Sequence, residues 1–244
     1  MRKIGSFLLG IGVLCILGAC NEGSIKGSGA KSTMKLNVAD FNDIDVSANM
    51  KVIVNVVEGV TPTAEITGYS NLLQHIKYAI NKRKLEVNTD LGENNNFALK
   101  DETTLNVTVP TLEGLSVDGK SKGEVHGNLK SNLFMLDISG ASTVTIDNLD
   151  VTYFSTVIAG AADLEVRNGK ADSTNFQLSG AGKIKTFPLI ANSSVVSISG
   201  AAVVELNALK QLTVDISGAG SVLYKGTPQI TKSISGAGTI KQSN

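Results

Sequence analysis

One short motif constrains this chain more than anything else in it. Ile138-Ser139-Gly140-Ala141-Ser142 returns as Ile158-Ala159-Gly160-Ala161-Ala162 and Leu178-Ser179-Gly180-Ala181-Gly182. It returns again around Gly200, Gly218 and Gly236, with glycine spacings of 20, 20, 20, 18 and 18 residues. Two residues before each glycine stands Ile138, Ile158, Leu178, Ile198, Ile216 or Ile234, and four after it Val144, Leu164, Ile184, Val204, Val222 or Ile240. A period near 20 is too short for a unit with a core of its own. It is the signature of a solenoid, in which each coil buries its apolar residues against its neighbours. In strands of period two, both aliphatic sets point inward. The glycine turns the corner, since it alone accepts positive φ without strain. The expected architecture is an all-β chain with a right-handed β-helix-like solenoid of about 18–21-residue repeats, its hand inferred from the general rule for parallel crossovers. A diverged copy surrounds Gly119, but Val125 follows it two positions late, which leaves the register of that coil open.

Upstream, residues 36–115 form a β-rich region without an obvious repeat. Leu85 and Val87, and Leu105, Val107 and Val109, alternate with polar residues as half-buried strands do. Val52 to Val57 reads as a strand buried on both faces. Gly59 to Pro62 and Asn94 to Asn96 punctuate turns. Leu72, Leu73, Ile76 and Ile80 approach helical spacing, so a helix is expected over Ser70 to Ile80. The composition agrees with strands and turns: no Trp, 25 Gly, and many β-branched residues.

The N-terminus is a secretory signal in layout. Arg2 and Lys3 precede the apolar run Ile4 to Leu17, which is too short to be read as a membrane span, and the small Gly18 and Ala19 follow. Leu17-Gly18-Ala19-Cys20 looks like the lipobox of bacterial lipoproteins. That resemblance implies cleavage after residue 19, acylation of Cys20, and a lipid anchor in the cell envelope, on the outer membrane by expectation, with its periplasmic or surface orientation left open. A multiply acylated cysteine holds a membrane durably where one chain does not. Cys15 leaves with the signal, so the mature body has no free thiol and no disulfide. Residues 20–35 comprise the lipidated Cys20 and a Gly-, Ser- and Lys-rich flexible tether. Residues 116–244 complete the chain as the solenoid.

At Phe41-Asn42-Asp43-Ile44-Asp45-Val46, Asn71-Leu72-Leu73, Val107-Thr108-Val109-Pro110-Thr111-Leu112 and the Ser-Gly-Ala repeats, the chain resembles the head GIN domain family of auto-transporter adhesins, common among Bacteroidetes. The resemblance covers nearly the whole mature chain. It implies one all-β domain with β-helical character, and it brings no catalytic residues and no cofactor.

The period sets the polar residues in rows along the stack. The outward row three before each glycine holds Asp137, Val157, Gln177, Ser197, Asp215 and Ser233, so its two acids stand four coils, roughly 19 Å, apart. They cannot share a metal. Glu165, Lys185 and Glu205 fall in neighbouring coils and form a charged ladder, most simply a solvated face. His75 and His126 are far apart in sequence and read as surface or loop histidines. Asp101 and Glu102, near Asp90 and Glu93, suggest an acidic loop, most simply a solvated one. No glycine loop precedes a helix to cradle phosphate. The loss of Arg2 and Lys3 leaves 20 basic against 22 acidic residues, so no basic patch favours nucleic acid. The aromatics Tyr153, Phe154, Phe176, Phe187 and Tyr224 are scattered, and some fill the coil interior. The leading expectation is a non-enzymatic, membrane-anchored solenoid for adhesion or binding of a glycan or protein ligand. A structural or assembly role in the envelope and a glycan-active β-helix enzyme are the alternatives.

Overall fold

The computed structural model of the chain describes residues 23–91, 95–97 and 103–243. The signal segment and Cys20 lie outside these residues, as do Glu93, Asn94, Asp101 and Glu102. Short strands come first: β1 (Gly23–Ile25), β2 (Lys31–Lys35), β3 (Asp43–Ser47), β4 (Lys51–Val56) and β5 (Thr63–Tyr69). One helical turn, α1 (Ser70–Leu73), leads to β6 (Ile76–Asn81), β7 (Lys84–Thr89), β8 (Asn95–Phe97), β9 (Thr104–Val109) and β10 (Gly114–Val117). The backbone then stays extended around whole coils. These strands are β11 (Lys122–Gly140), β12 (Thr143–Gly160), β13 (Asp163–Val166), β14 (Gly169–Gly180), β15 (Lys183–Gly200) and β16 (Val203–Gly218). Three shorter strands finish the chain: β17 (Ser221–Lys225), β18 (Gln229–Gly236) and β19 (Thr239–Gln242).

Coil stacks on coil through parallel pairing in register, Gly140 on Gly160, Gly160 on Gly180 and Gly180 on Gly200. The aliphatic residue before each corner forms one column: Val87, Val46, Val117, Ile138, Ile158, Leu178, Ile198, Ile216, Ile234. All but the last are no more than 3% exposed. The residue after the corner builds a second column through Val144, Leu164, Ile184, Val204 and Val222, also buried. Each such side chain contributes about 1.5–3 kcal/mol when fully removed from water. The solenoid with its inward aliphatic sets is therefore as the period requires.

At the corners the same spacing is enforced by backbone. Each corner glycine has positive φ, as at Gly160 (103°) and Gly180 (124°). The following alanine N–H donates to the glycine carbonyl one coil back, Ala181 to Gly160 and Ala201 to Gly180, both at 2.9 Å. The register of the diverged copy is resolved by the same bond, since the Ala141 N–H donates to the Gly119 carbonyl at 2.8 Å. Gly119 is thus a corner. Gly123 takes the aliphatic place in the second column, between Val52 and Val144, and Val125 belongs to the next column with Val54, Ile146 and Val166.

Inside the coils, bulk is traded between two adjacent columns. One runs Phe134, Phe154, Thr174, Ser194, Leu212, and the other Leu136, Thr156, Phe176, Val196, Val214. Phe134 stacks on Phe154 at 5.7 Å between ring centroids. Phe176 has changed column and meets Phe154 edge-on at 5.9 Å. Phe134 has Leu136 beside it, but Phe154 is accompanied by Thr156 and Phe176 by Thr174. Both buried hydroxyls are satisfied, Thr156 donating to the Leu136 carbonyl and Thr174 to Ser194 Oγ, both at 2.8 Å.

Upstream of Gly119 several expectations change. Residues 36–115 lack a visible repeat, yet β3 and β4 make a coil of the same stack. β3 lies between β7 and β10, and β4 between β9 and β11. β10 spans the boundary at residue 115. The helix expected over Ser70 to Ile80 shrinks to α1, because Ile76–Asn81 pairs antiparallel with β7, and closing that edge outweighs a short helical pattern. In β4 only Val52, Val54 and Val56 are buried, while Ile53 and Asn55 point to the half-exposed outer face. Lys31–Lys35, at the end of the expected tether, is β2 and pairs antiparallel with β5, with Met34 packed on the core. Asn95 and Asn96, expected in a turn, belong to β8, which pairs with β1.

Candidate binding surface

A coil that buries alternate residues must present the others, so each ladder has an outer face lined by residues one coil apart. The first face precedes the glycine corner. Its Asp137 and Asp215 stand in one row, separated by Val157, Gln177 and Ser197, so the two acids do not converge. The same face exposes Leu133, Met135, Tyr153, Val157 and Val195. Of the scattered aromatics, Phe154 and Phe176 fill the interior. Phe187 lies beneath the Lys225 ammonium, 5.2 Å from its ring centre.

The second face follows the corner and is laced with ion pairs. Glu165, Lys185 and Glu205 are register neighbours, as their spacing requires. The ion pairs, however, run from Lys183 to Glu205 at 2.9 Å and from Arg167 to Glu165 at 3.6 Å. Glu124 is held by Lys122 at 2.7 Å and Lys51 at 3.2 Å. The hydrogen bond from Lys122, aided by that from Lys51, draws its carboxyl down from 4.5 to about 2 against the opposing effect of burial. His126 Nδ1 lies 2.8 Å from Asp147, which Arg167 also reaches at 3.1 Å. His75 is remote from it, against Asp90 at 3.0 Å. His75 and then Lys77 hold the Asp90 carboxyl below its usual range. The two histidines therefore belong to separate surface hydrogen bonds with carboxylates. Among the described residues, no group of three or more His, Cys, Asp or Glu side chains is placed to hold a metal.

The third face carries an open groove of about 850 Å³. Along its floor Lys130, Asp150, Lys170 and Ile190 succeed one another in register. Asp150 and Lys170 pair at 3.4 Å, and Asn192 Nδ2 donates to Asp172 at 3.3 Å. Asn132, Thr152, Asp172 and Asn192 line it beside that row, and Ile190 and Leu209 add apolar surface. The groove offers donors and acceptors of both charges repeated at the coil step of about 4.8 Å, chemistry suited to an extended polar ligand. Reading outward from the glycine box overlooks these residues. The spacing of 20 that relates Lys130, Asp150 and Lys170 is the signal that marks them. Cys20, the lipidation residue expected from sequence, lies outside the described residues. No helix among those described is long and apolar enough to cross a membrane.

Residues 40–228 match the family described as "Putative auto-transporter adhesin, head GIN domain". Among solved structures, a "putative adhesin" from Bacteroides fragilis is similar at 26% identity and a TM-score of 0.83, over 90% of this chain and 100% of that one. A "putative adhesin" from Parabacteroides merdae shares the fold at 20% identity and a TM-score of 0.71, over 91% of this chain and 100% of that one. A protein from Parabacteroides distasonis named "Putative lipid binding protein" does so with the same identity, TM-score and coverage. No curated protein matches the chain.

Proposed function

Because this chain belongs to the head GIN domain family, we propose that it is a non-enzymatic binding module, held at the bacterial envelope by lipid on Cys20 and presenting its solenoid for adhesion. The observation that carries this reading is the grooved third face. It repeats amide, hydroxyl, carboxylate and ammonium groups over successive rigid coils, with Asp150 paired to Lys170 and Asp172 to Asn192. Such a face supports many weak contacts in register, which suits adhesion to a repeating glycan or protein surface. The lipobox-like Leu17-Gly18-Ala19-Cys20 supports the anchor.

Protease shaving of intact cells tests the reading, using a C-terminal tag, with lysed cells and a periplasmic marker as controls. Loss of the tag from intact cells while the marker survives is expected. Loss only after lysis overturns the adhesion reading in favour of a structural or assembly role in the envelope.

A further inference from the structure

The two ends of the solenoid are built differently. At one end antiparallel strands close the parallel stack: β5 lies on β9, β6 on β7 and β2 on β5. At the other, β18 and β19 pair only inward, with β16 and β17, so one edge of each has no strand beside it among the described residues. All of β18 is exposed. Ile230 and Ile234 are 37% and 38% exposed, although Leu212 and Ile216, one coil back in the same columns, are fully buried. This edge is a row of unpaired backbone donors and acceptors beside unfinished apolar columns, the arrangement to which an extended segment adds.

Its charge restricts what can be added. The column Thr156, Phe176, Val196, Val214 ends on Lys232. Beyond Asp215 the chain carries Lys225, Lys232 and Lys241 and no acidic residue, in a protein of zero formal net charge. A second copy stacked end to end would set these lysines against their own counterparts, with Lys232 forced toward the shared interior. An inward-pointing charge on an edge strand is a known guard against such stacking. A strand with a carboxylate at the facing position would instead pair with Lys232 in a half-buried setting, where a charge-assisted hydrogen bond is strong.

We propose that the open β18–β19 edge is a docking site for an acidic β-strand of another protein, and that Lys232 excludes a second copy of this chain. This rests on the reading of the chain as a binding module and moves its most specific contact from the faces to the end of the stack.

The test uses the full chain purified in detergent and two fluorescein-labelled peptides. One is Val-Thr-Val-Thr-Glu-Thr-Val-Thr-Val, and the other has Lys in place of Glu. Fluorescence anisotropy should show the Glu peptide binding at least about tenfold tighter, a preference that weakens with salt. Lys232→Glu should reverse the order. Lys232→Ile should abolish it and convert monomer to dimer in analytical ultracentrifugation, with circular dichroism confirming the fold of each variant. Equal or absent binding of the two peptides to the unaltered chain, or a preference unchanged in Lys232→Glu, overturns the proposal. Shaving reads exposure on the cell and not strand pairing, so either idea can fail without the other.

Discussion

A β-carbon built on Gly180 would lie 2.3 Å from the carbonyl oxygen of Gly160 in the coil beneath. That contact is with backbone, and it comes on top of a φ of +124°. Gly180→Ala should therefore destabilise the protein by about 2–4 kcal/mol, combining strained backbone with a displaced coil. Urea unfolding checks this, with the exposed neighbour Ser179→Ala as a control expected within about 0.5 kcal/mol of the unaltered protein.

Phe176 and Thr174 share one layer of the core and divide its volume between two columns. Phe176→Ala should cost about 3–5 kcal/mol. Thr174→Phe alone overfills the layer, and Phe176→Thr alone empties it. Together they would set Phe at 174 over Phe154 and restore the volume, so a double-mutant cycle should give a favourable coupling of about 1–3 kcal/mol. Recovery would stop short of full, since Ser194 Oγ loses its donor Thr174.

The Glu124 carboxyl titrates near 2 in the folded protein, below its ordinary 4.5. A depressed carboxyl stabilises the fold fully above the unfolded value and ceases to do so as the pH falls through the folded one. Glu124→Gln should thus cost on the order of 1 kcal/mol at pH 7, with solvent screening moderating the pairs to Lys122 and Lys51. The difference between the two proteins should shrink steadily from pH 4.5 to pH 2. Denaturant titrations across that range would show a constant difference if the ion pairs contribute nothing.

Cys20→Ser should release the protein from membranes while leaving the solenoid folded, because it removes the acylated thiol, whereas the aliphatic columns of the stack run through residues such as Val46, Ile138 and Ile216. Fractionation after an alkaline wash reads the anchor. A variant that still sediments with the membrane would mean that something other than acyl chains holds the protein there.

The sequence discloses Ile138, Ile158, Leu178 and their successors because one local rule, repeated at fixed spacing, builds both strand and column. It does not disclose that Val46 sits between Val87 and Val117, since that pairing is set by long-range contacts with no repeated motif to announce it. The segment Ile76–Asn81 is misleading for a related reason: its apolar spacing admits a helix, and only the bare edge of β7 decides for a strand. For the candidate surface, Asp137 and Asp215 could be kept apart from spacing alone. The groove of Lys130, Asp150 and Lys170 depends on how the coil bends ten residues before the corner, which composition does not reveal.

The coil of β3 and β4 is an inner layer flanked on both sides by strands made later. Such a protein cannot lengthen or shorten within β3 and β4 without tearing out a middle course of the wall. Duplication or loss of whole coils is tolerable only among the repeats from Gly140 to Gly236, where order in the chain and order in space coincide. Variation in reach across relatives should be written there, and the coil of β3 and β4 should keep its length while the repeats are counted up or down.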